Sequence, residues 1–318
     1  METNANEKNN MSNNMNDGLK QYINRIIHDD CVNVLSNLPS NSIDLVLTDP
    51  PYFLDKLDDK WTHEKTKPTS YKSQVVNHLP SGMRFDPEQG KRLYEWYLPV
   101  SIKIMRVLKP GGFFMTFASP RLFHRVACAV EDAGFYLRDT FLWLYTQSQP
   151  KAMSLHHFIE KLDLSEEEKN TLHEQLNHWK TPQVKSVYEP IIIAQKPYEG
   201  TLLKNFIKHK TGLFNTTIKI GENKFPSNIL IVEETGTILD RYFLIEKDKE
   251  KIEHPTTKPV KLFQYLIKLS TVEGAVVLDP FVGSGTTAIA AKCTNRNFIG
   301  IEINEPYVQI ALNRLAKE

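Results

Sequence analysis

The chain has little on which a disulfide framework, a metal cluster or a membrane anchor could rest. Its 318 residues hold three cysteines, Cys31, Cys128 and Cys293, with no CxxC pair and no histidine cluster at metal-ligand spacing. This usage points to reduced thiols and excludes a structural zinc motif of the usual spacing. No apolar run approaches the roughly 20 residues that span a bilayer. The N-terminal METNANEKNNMSNNMNDG has no apolar core for a signal peptide, so a cytoplasmic location is expected. Charge of one sign is also missing: the formal net charge is +1, so a polyanionic partner would need a local basic face. There is no internal repeat.

What is present is an alternation of strand-like and helix-like segments. RIIHD, IDLVLT, FFMTFA and YLRDTFLWLY read as strands. CVNVLSNL, residues 90–108 (despite Pro99) and RLFHRVACAVEDAG, closed by Gly134, read as the helices between them. Lys109-Pro110-Gly111-Gly112 reads as a turn. The rhythm returns at Pro259 with PVKLFQYLIKLS, AVVLD, TTAIAAKC, NFIGIEI and a last helix from Glu305. Such an order predicts an α/β fold, a doubly wound and mostly parallel sheet of Rossmann-like type. Expected boundaries are a disordered tail over 1–18, a first α/β part over 19–146, an insertion over 147–256 and a final α/β part over 257–318. Within the insertion, Ser165 and Glu168 form a capping box.

Four stretches carry chemistry. TDPPYF follows the buried run IDLVL, and two consecutive prolines can continue neither a strand ladder nor a helix. Asp49, Pro50, Pro51 and Tyr52 read either as a rigid turn or as a frame for a flat polar group. VVLDPFVGSGTTAIAA is a strand ending at Asp279, a Gly283-Ser284-Gly285 turn and a helix starting near Thr286, a place where backbone can approach a ligand. Gly283, Gly285 and Ala288 also fit G-x-G-x-x-A, with Glu302 ending the next strand, so a dinucleotide is a rival ligand. The acid in Asp279-Pro280-Phe281 would repel a pyrophosphate and suits a cofactor bearing an ammonium, such as S-adenosylmethionine, whose sulfonium could rest on Phe281. HPTTKP precedes this segment. Thr256 or Thr257 could cap the next helix, and Lys258 would favour a ligand carboxylate. Asp29 or Asp30, ending the first strand, could meet a ligand or cap the following helix.

The conjunction of DPPY, DPFVGSGTT, FIGIEIN, HPTTKP, IIHDDCVNVL and YEPIIIAQKP resembles the β-class, permuted amino-group DNA methyltransferases over most of residues 22–316. The resemblance implies S-adenosylmethionine as cofactor and double-stranded DNA as substrate, with a homodimer and a cognate restriction endonuclease as candidate partners. It makes Asp49, Pro50, Pro51 and Tyr52 catalytic, and Asp30, Lys258, Asp279, Pro280, Phe281, Gly283, Gly285, Thr286 and Glu302 cofactor-binding. An acid at the first position of the tetrapeptide implies the N6 amine of adenine in a flipped-out base; N4 of cytosine is the alternative, and a non-catalytic DNA- or cofactor-binding subunit another. At the end of the first strand, His28 stands where the family often carries glycine before an acid, so either Asp29 or Asp30 could meet the cofactor's adenine, and Asp30 is preferred. DNA contacts are expected from residues 180–225, where eight lysines face three glutamates, and from 55–90, where Trp61 and Tyr71 lie among basic groups.

Overall fold

The computed structural model describes residues 18–52, 87–145, 152–182, 184, 186–218, 226–231 and 258–318. The tail over 1–17, Phe53, most of 55–90 and His254 to Thr257 lie outside these. So do Lys185, Lys219 and Lys224.

Eight strands form one sheet: β1 (Arg25–His28), β2 (Ile43–Thr48), β3 (Leu108–Phe117), β4 (Tyr136–Leu144), β5 (Tyr188–Gln195), β6 (Ile229–Ile231), β7 (Val276–Asp279) and β8 (Asn297–Glu302). Their order is β1-β8-β7-β2-β3-β5-β4-β6, and only β5 runs antiparallel to its neighbours. The helices are α1 (Cys31–Asn37), α2 (Pro87–Val107), α3 (Phe123–Asp132), α4 (His156–Ile159), α5 (Glu166–Leu176), α6 (Leu202–His209), α7 (Val260–Ser270), α8 (Thr286–Cys293) and α9 (Glu305–Leu315). The expected α/β, mostly parallel sheet is what forms.

Successive strand residues point to opposite faces, so a strand covered on both sides reads as a continuous apolar run. Val46, Phe114, Ile192 and Leu278 pack on one face with Leu35, Tyr97 and Ile104 of α1 and α2. Leu45, Leu47, Met115, Phe117, Ile191 and Val277 pack on the other with Phe263 and Leu266 of α7 and Ala290 of α8. Phe117 and Phe263 stack at 5.3 Å between centroids. Each such fully buried side chain contributes about 1.5–3 kcal/mol relative to exposure.

Two expectations change here. Lys109-Pro110-Gly111-Gly112 is not a turn between elements; it lies inside β3. The register against β2 jumps from Ile43↔Leu108 to Leu45↔Phe113, so the four residues form a bulge. Gly111 takes φ +77 there. Buried amides brace the bulge, because Asn205 Nδ2 donates to the Pro110 carbonyl at 3.0 Å and Gln195 Nε2 to the Gly111 carbonyl at 3.0 Å. Second, the 147–256 stretch is not wholly outside the sheet: VYEPIIIAQ supplies β5 and ILI supplies β6. β5 sits between β3 and β4, its Ile191–Ile193 run fully buried, so apolar burial draws it into the sheet interior.

Parallel strands put their C-terminal ends on one edge of the sheet. β5, being antiparallel, brings its N-terminal end there. Thr48, Phe117, Leu144, Tyr188, Asp279 and Glu302 therefore share an edge, and Gln195 lies on the opposite one.

Candidate active site

Pairing of β7 with β2 (Val46↔Leu278) sets Asp279 beside Thr48, although some 230 residues separate them along the chain. Asp279 is buried and every donor around it comes from the two motifs. Thr48 Oγ1 donates to Oδ1 at 2.6 Å, the Phe281 backbone N–H to Oδ1 at 3.0 Å, and Thr287 Oγ1 to Oδ2. Burial pushes this carboxyl up to about 7, against the pull of those three donors and with a further push from the Asp49 charge. Asp279 thus ties the glycine turn to the strand that carries the DPPY tetrapeptide.

The glycine turn divides its two glycines by task. Gly285 takes φ +88, and a Cβ there would lie 3.0 Å from Ala311 Cβ, so α9 packs directly on the bare backbone. Gly283 takes φ +51 with nothing but the Phe281 carbonyl, 3.9 Å away, near a Cβ position. Its backbone N–H donates to Glu302 Oε2 at 3.0 Å, while Glu302 Oε1 accepts from Asn304 N at 2.9 Å. Burial raises the Glu302 carboxyl against these backbone donors. Behind the turn, Arg314 Nη1 donates to the Ser284 carbonyl at 2.7 Å. Thr286 starts α8 and is buried beside Arg314 Nη1, 3.4 Å away. Pro280 is buried and Phe281 half-buried, its ring 5.4 Å from that of Trp96. Asp30 caps α1, accepting from Val32 N at 2.7 Å, so of the two readings for that acid the cap is realised. β1 pairs with β8 at His28↔Glu302, which places this cap next to the ribose-acid candidate.

Asp49 follows β2 directly. Its Oδ2 is bound by the Lys258 ammonium, which also lies 3.2 Å from Glu189 Oε2. Tyr52 donates its hydroxyl proton to the same Glu189 oxygen at 2.6 Å. Lys258 is 7% exposed, and its Nζ stands 5.4 Å from the Tyr52 ring centroid and 5.3 Å from that of Phe117. Burial pulls the ammonium down, and the Asp49 and Glu189 charges outweigh it, holding Lys258 above its ordinary value. Burial, then the same two acids, lifts the Tyr52 phenol well above its ordinary range. Asp49 Oδ1 is buried and has no hydrogen-bond partner among the described residues. Pro50 is buried and Pro51 half-buried between the acid and the ring.

All the residues expected from DPPY and DPFVGSG thus meet on one sheet edge. Lys258 joins the DPPY half through its contacts to Asp49 and Glu189. Glu189 was not singled out from sequence; its signal was the YEP that opens YEPIIIAQ. Thr48 and Thr287, the donors to Asp279, were missed too. The lysine-rich stretch divides. Lys196 donates to Asn41 Oδ1 and to the Leu108 carbonyl, both at 2.7 Å, and α6 packs on the β3 bulge. Lys196, Lys204, Lys208 and Lys210 therefore sit toward the opposite edge, roughly 20 Å of strand from Asp49. A cleft of about 720 Å³ at that edge, lined by Phe214 and Arg296, is likewise remote from the motifs. His156 and Glu160, an i,i+4 pair, are joined by His173 on the α4–α5 hairpin with a 2.7 Å His173–Glu160 hydrogen bond, a grouping that spacing alone did not show.

A proline-braced acid and ring thus lie beside a glycine turn, at adjacent strand ends of a mostly parallel sheet. A DNA methylase family profile of the N6/N4 class matches residues 43–313, and the chain belongs to this family. It is 32% identical over 312 residues to the type II methyltransferase M.HindIII of Haemophilus influenzae, covering 92% of this chain and 95% of that protein. It is 28% identical to M.HpaI of Haemophilus parainfluenzae, covering 92% and 74%. In fold it is similar to the cytosine-N4-specific PvuII DNA methyltransferase, with a TM-score of 0.58 at 19% identity, covering 91% of this chain and 85% of that one. It is also similar to M1.HpyAVI in complex with SAM, with a TM-score of 0.52 at 22% identity, covering 92% and 99%.

Proposed function

We propose that the chain transfers a methyl group from S-adenosylmethionine to the exocyclic N6 amine of adenine in DNA. The observation that carries the reading is the half-buried Asp49 carboxylate, with Oδ2 held by Lys258 and the buried Oδ1 without a hydrogen-bond partner among the described residues. An aromatic amine is a poor nucleophile because its lone pair is delocalised into the ring. Acceptors for its two hydrogens localise that pair: Asp49 Oδ1 supplies one, and the Pro50 carbonyl, held by Pro51, the other. The Tyr52 ring offers a stacking face, a contact worth about 1–3 kcal/mol in single-strand binders. A base inside a duplex must be flipped out to reach this edge, at a cost of a few kcal/mol.

On the cofactor side, Gly283 leaves open space at the turn, α8 presents its N-terminus, and Glu302 and Phe281 flank the approach. Bound S-adenosylmethionine supplies an electrophilic sulfonium methyl. The protein contributes orientation and electrostatics, which suit a direct in-line displacement. No cysteine stands beside Asp49 to activate a cytosine ring: Cys31 lies in α1, where burial pushes its thiol up to about 12. Asp49 at the first position favours adenine by resemblance, and PvuII methyltransferase, named as cytosine-N4-specific, shares the fold alone. For DNA contact we favour residues 145–187, which leave β4 and enter β5 on the catalytic edge, over the lysines of α6.

The test is incubation with DNA and labelled S-adenosylmethionine, followed by digestion to nucleosides. Label in N6-methyladenine is the expected product. Label in N4-methylcytosine would transfer the reading to the alternative base, and unlabelled DNA would overturn it.

A further inference from the structure

A buried ammonium is tolerated when acids and hydrogen bonds compensate its lost hydration. Lys258 meets that condition with Asp49 on one side, Glu189 on the other and two rings, Tyr52 and Phe117, against its charge. Glu189 Oε2 also accepts the Tyr52 hydroxyl, so one carboxylate oxygen sets both the ammonium and the ring. Asp49 Oδ1, by contrast, is buried and has no donor among the described residues. Such an orphaned acceptor is rare in folded proteins and calls for a partner.

We propose that Lys258, itself fixed by Glu189, is a positioning residue that occupies Asp49 Oδ2 and so directs Oδ1 to the amine of the target base. The inference rests on the methyl-transfer reading above and deepens it. A free carboxylate can rotate and present either oxygen. With Oδ2 held by an ammonium that is clamped between two acids and two rings, one orientation remains. Glu189 reaches the site only because β5 is antiparallel and enters the sheet at the catalytic edge. The tetrapeptide thus supplies the acceptor, and two residues far from it in sequence aim that acceptor. A lysine serving a cofactor carboxylate would act on cofactor affinity instead, and a purely structural ion pair would act on melting temperature alone.

The experiment compares wild type, Lys258→Met, Lys258→Arg and Glu189→Gln in kcat, in KM for DNA, in calorimetric affinity for S-adenosylmethionine and in melting temperature. We expect Lys258→Met to lose about 10²-fold or more in kcat at saturating substrates, with cofactor affinity held within about twofold. Lys258→Arg should recover part of that loss, and Glu189→Gln, nearly isosteric, should lose about tenfold in kcat. Wild-type kcat in folded Lys258→Met, or a loss confined to cofactor affinity, would overturn the positioning role. If Lys258→Met does not fold, wild-type kcat in Glu189→Gln does the same. Absence of transfer by the wild-type chain would overturn the methyl-transfer reading and this role with it.

Discussion

Asp44 and Asp49 stand at the two ends of β2, and each pairs with a lysine. Asp44 Oδ1 binds Lys109 Nζ at 2.6 Å, and its Oδ2 accepts from Val276 N at 2.8 Å. Both oxygens are used, and the acid ties β2 to the starts of β3 and β7. Asp49 has one oxygen on Lys258 and the other without a donor among the described residues. The same residue type on the same strand is therefore closed at one end and open at the other. A fully satisfied buried acid reports on stability, whereas a half-satisfied one on a ligand-binding edge reports on chemistry.

The largest effect should come from breaking the open end. Asp49→Ala is expected to reduce methyl transfer by about 10³-fold or more while cofactor affinity stays near wild type, measured by labelled transfer and calorimetry. Asp44→Ala should do the reverse. It leaves the Val276 N–H without its acceptor and should destabilise by about 1–3 kcal/mol in urea unfolding, with kcat essentially retained. Equal loss of activity in both variants would erase the distinction.

Asp279, closed like Asp44 but on the catalytic edge, sharpens the comparison through pH. Its folded carboxyl is raised to about 7, above the ordinary 3.8, so between those values the folded chain holds a proton that the unfolded chain has released. Its contribution to stability is therefore greatest below about pH 4, falls as pH rises through this window and levels off above about 7. Asp279→Asn should flatten that slope in unfolding measured from pH 4 to 8. An unchanged slope would show that other groups set it.

The smallest effects separate the two glycines. Gly285→Ala meets Ala311 and a left-handed backbone and should cost about 1–3 kcal/mol of stability. Gly283→Ala meets the same left-handed backbone but open space, and should cost about 1 kcal/mol, near the low end of that range. Gly283→Val should weaken cofactor binding more than it lowers the melting temperature.

Much of this was legible in the chain. Continuous apolar runs such as IDLVL and AVVL announced strands buried on both faces, and DPPY and DPFVGSG announced their ends. KPGG was misread because glycine and proline signal a turn and a bulge alike; only the register of β3 on β2 and the Asn205 and Gln195 amides decide between them. The lysines of 180–225 looked like one basic face. The antiparallel run of β5 carries Lys196 and α6 away from the site.

By itself, the sequence determined which residues are chemically able to act: an acid braced by two prolines, a ring, a glycine turn and their places at strand ends. Local rules suffice for these because proline fixes φ, glycine opens the left-handed region, and apolar runs seek burial. The tertiary structure decided which of them face one another. Strand order set Thr48 on Asp279, and the direction of β5 brought Glu189 to Lys258, the counter-ion of Asp49. Such pairings join residues far apart along the chain. Only strand register, set by burial of both sheet faces, determines them.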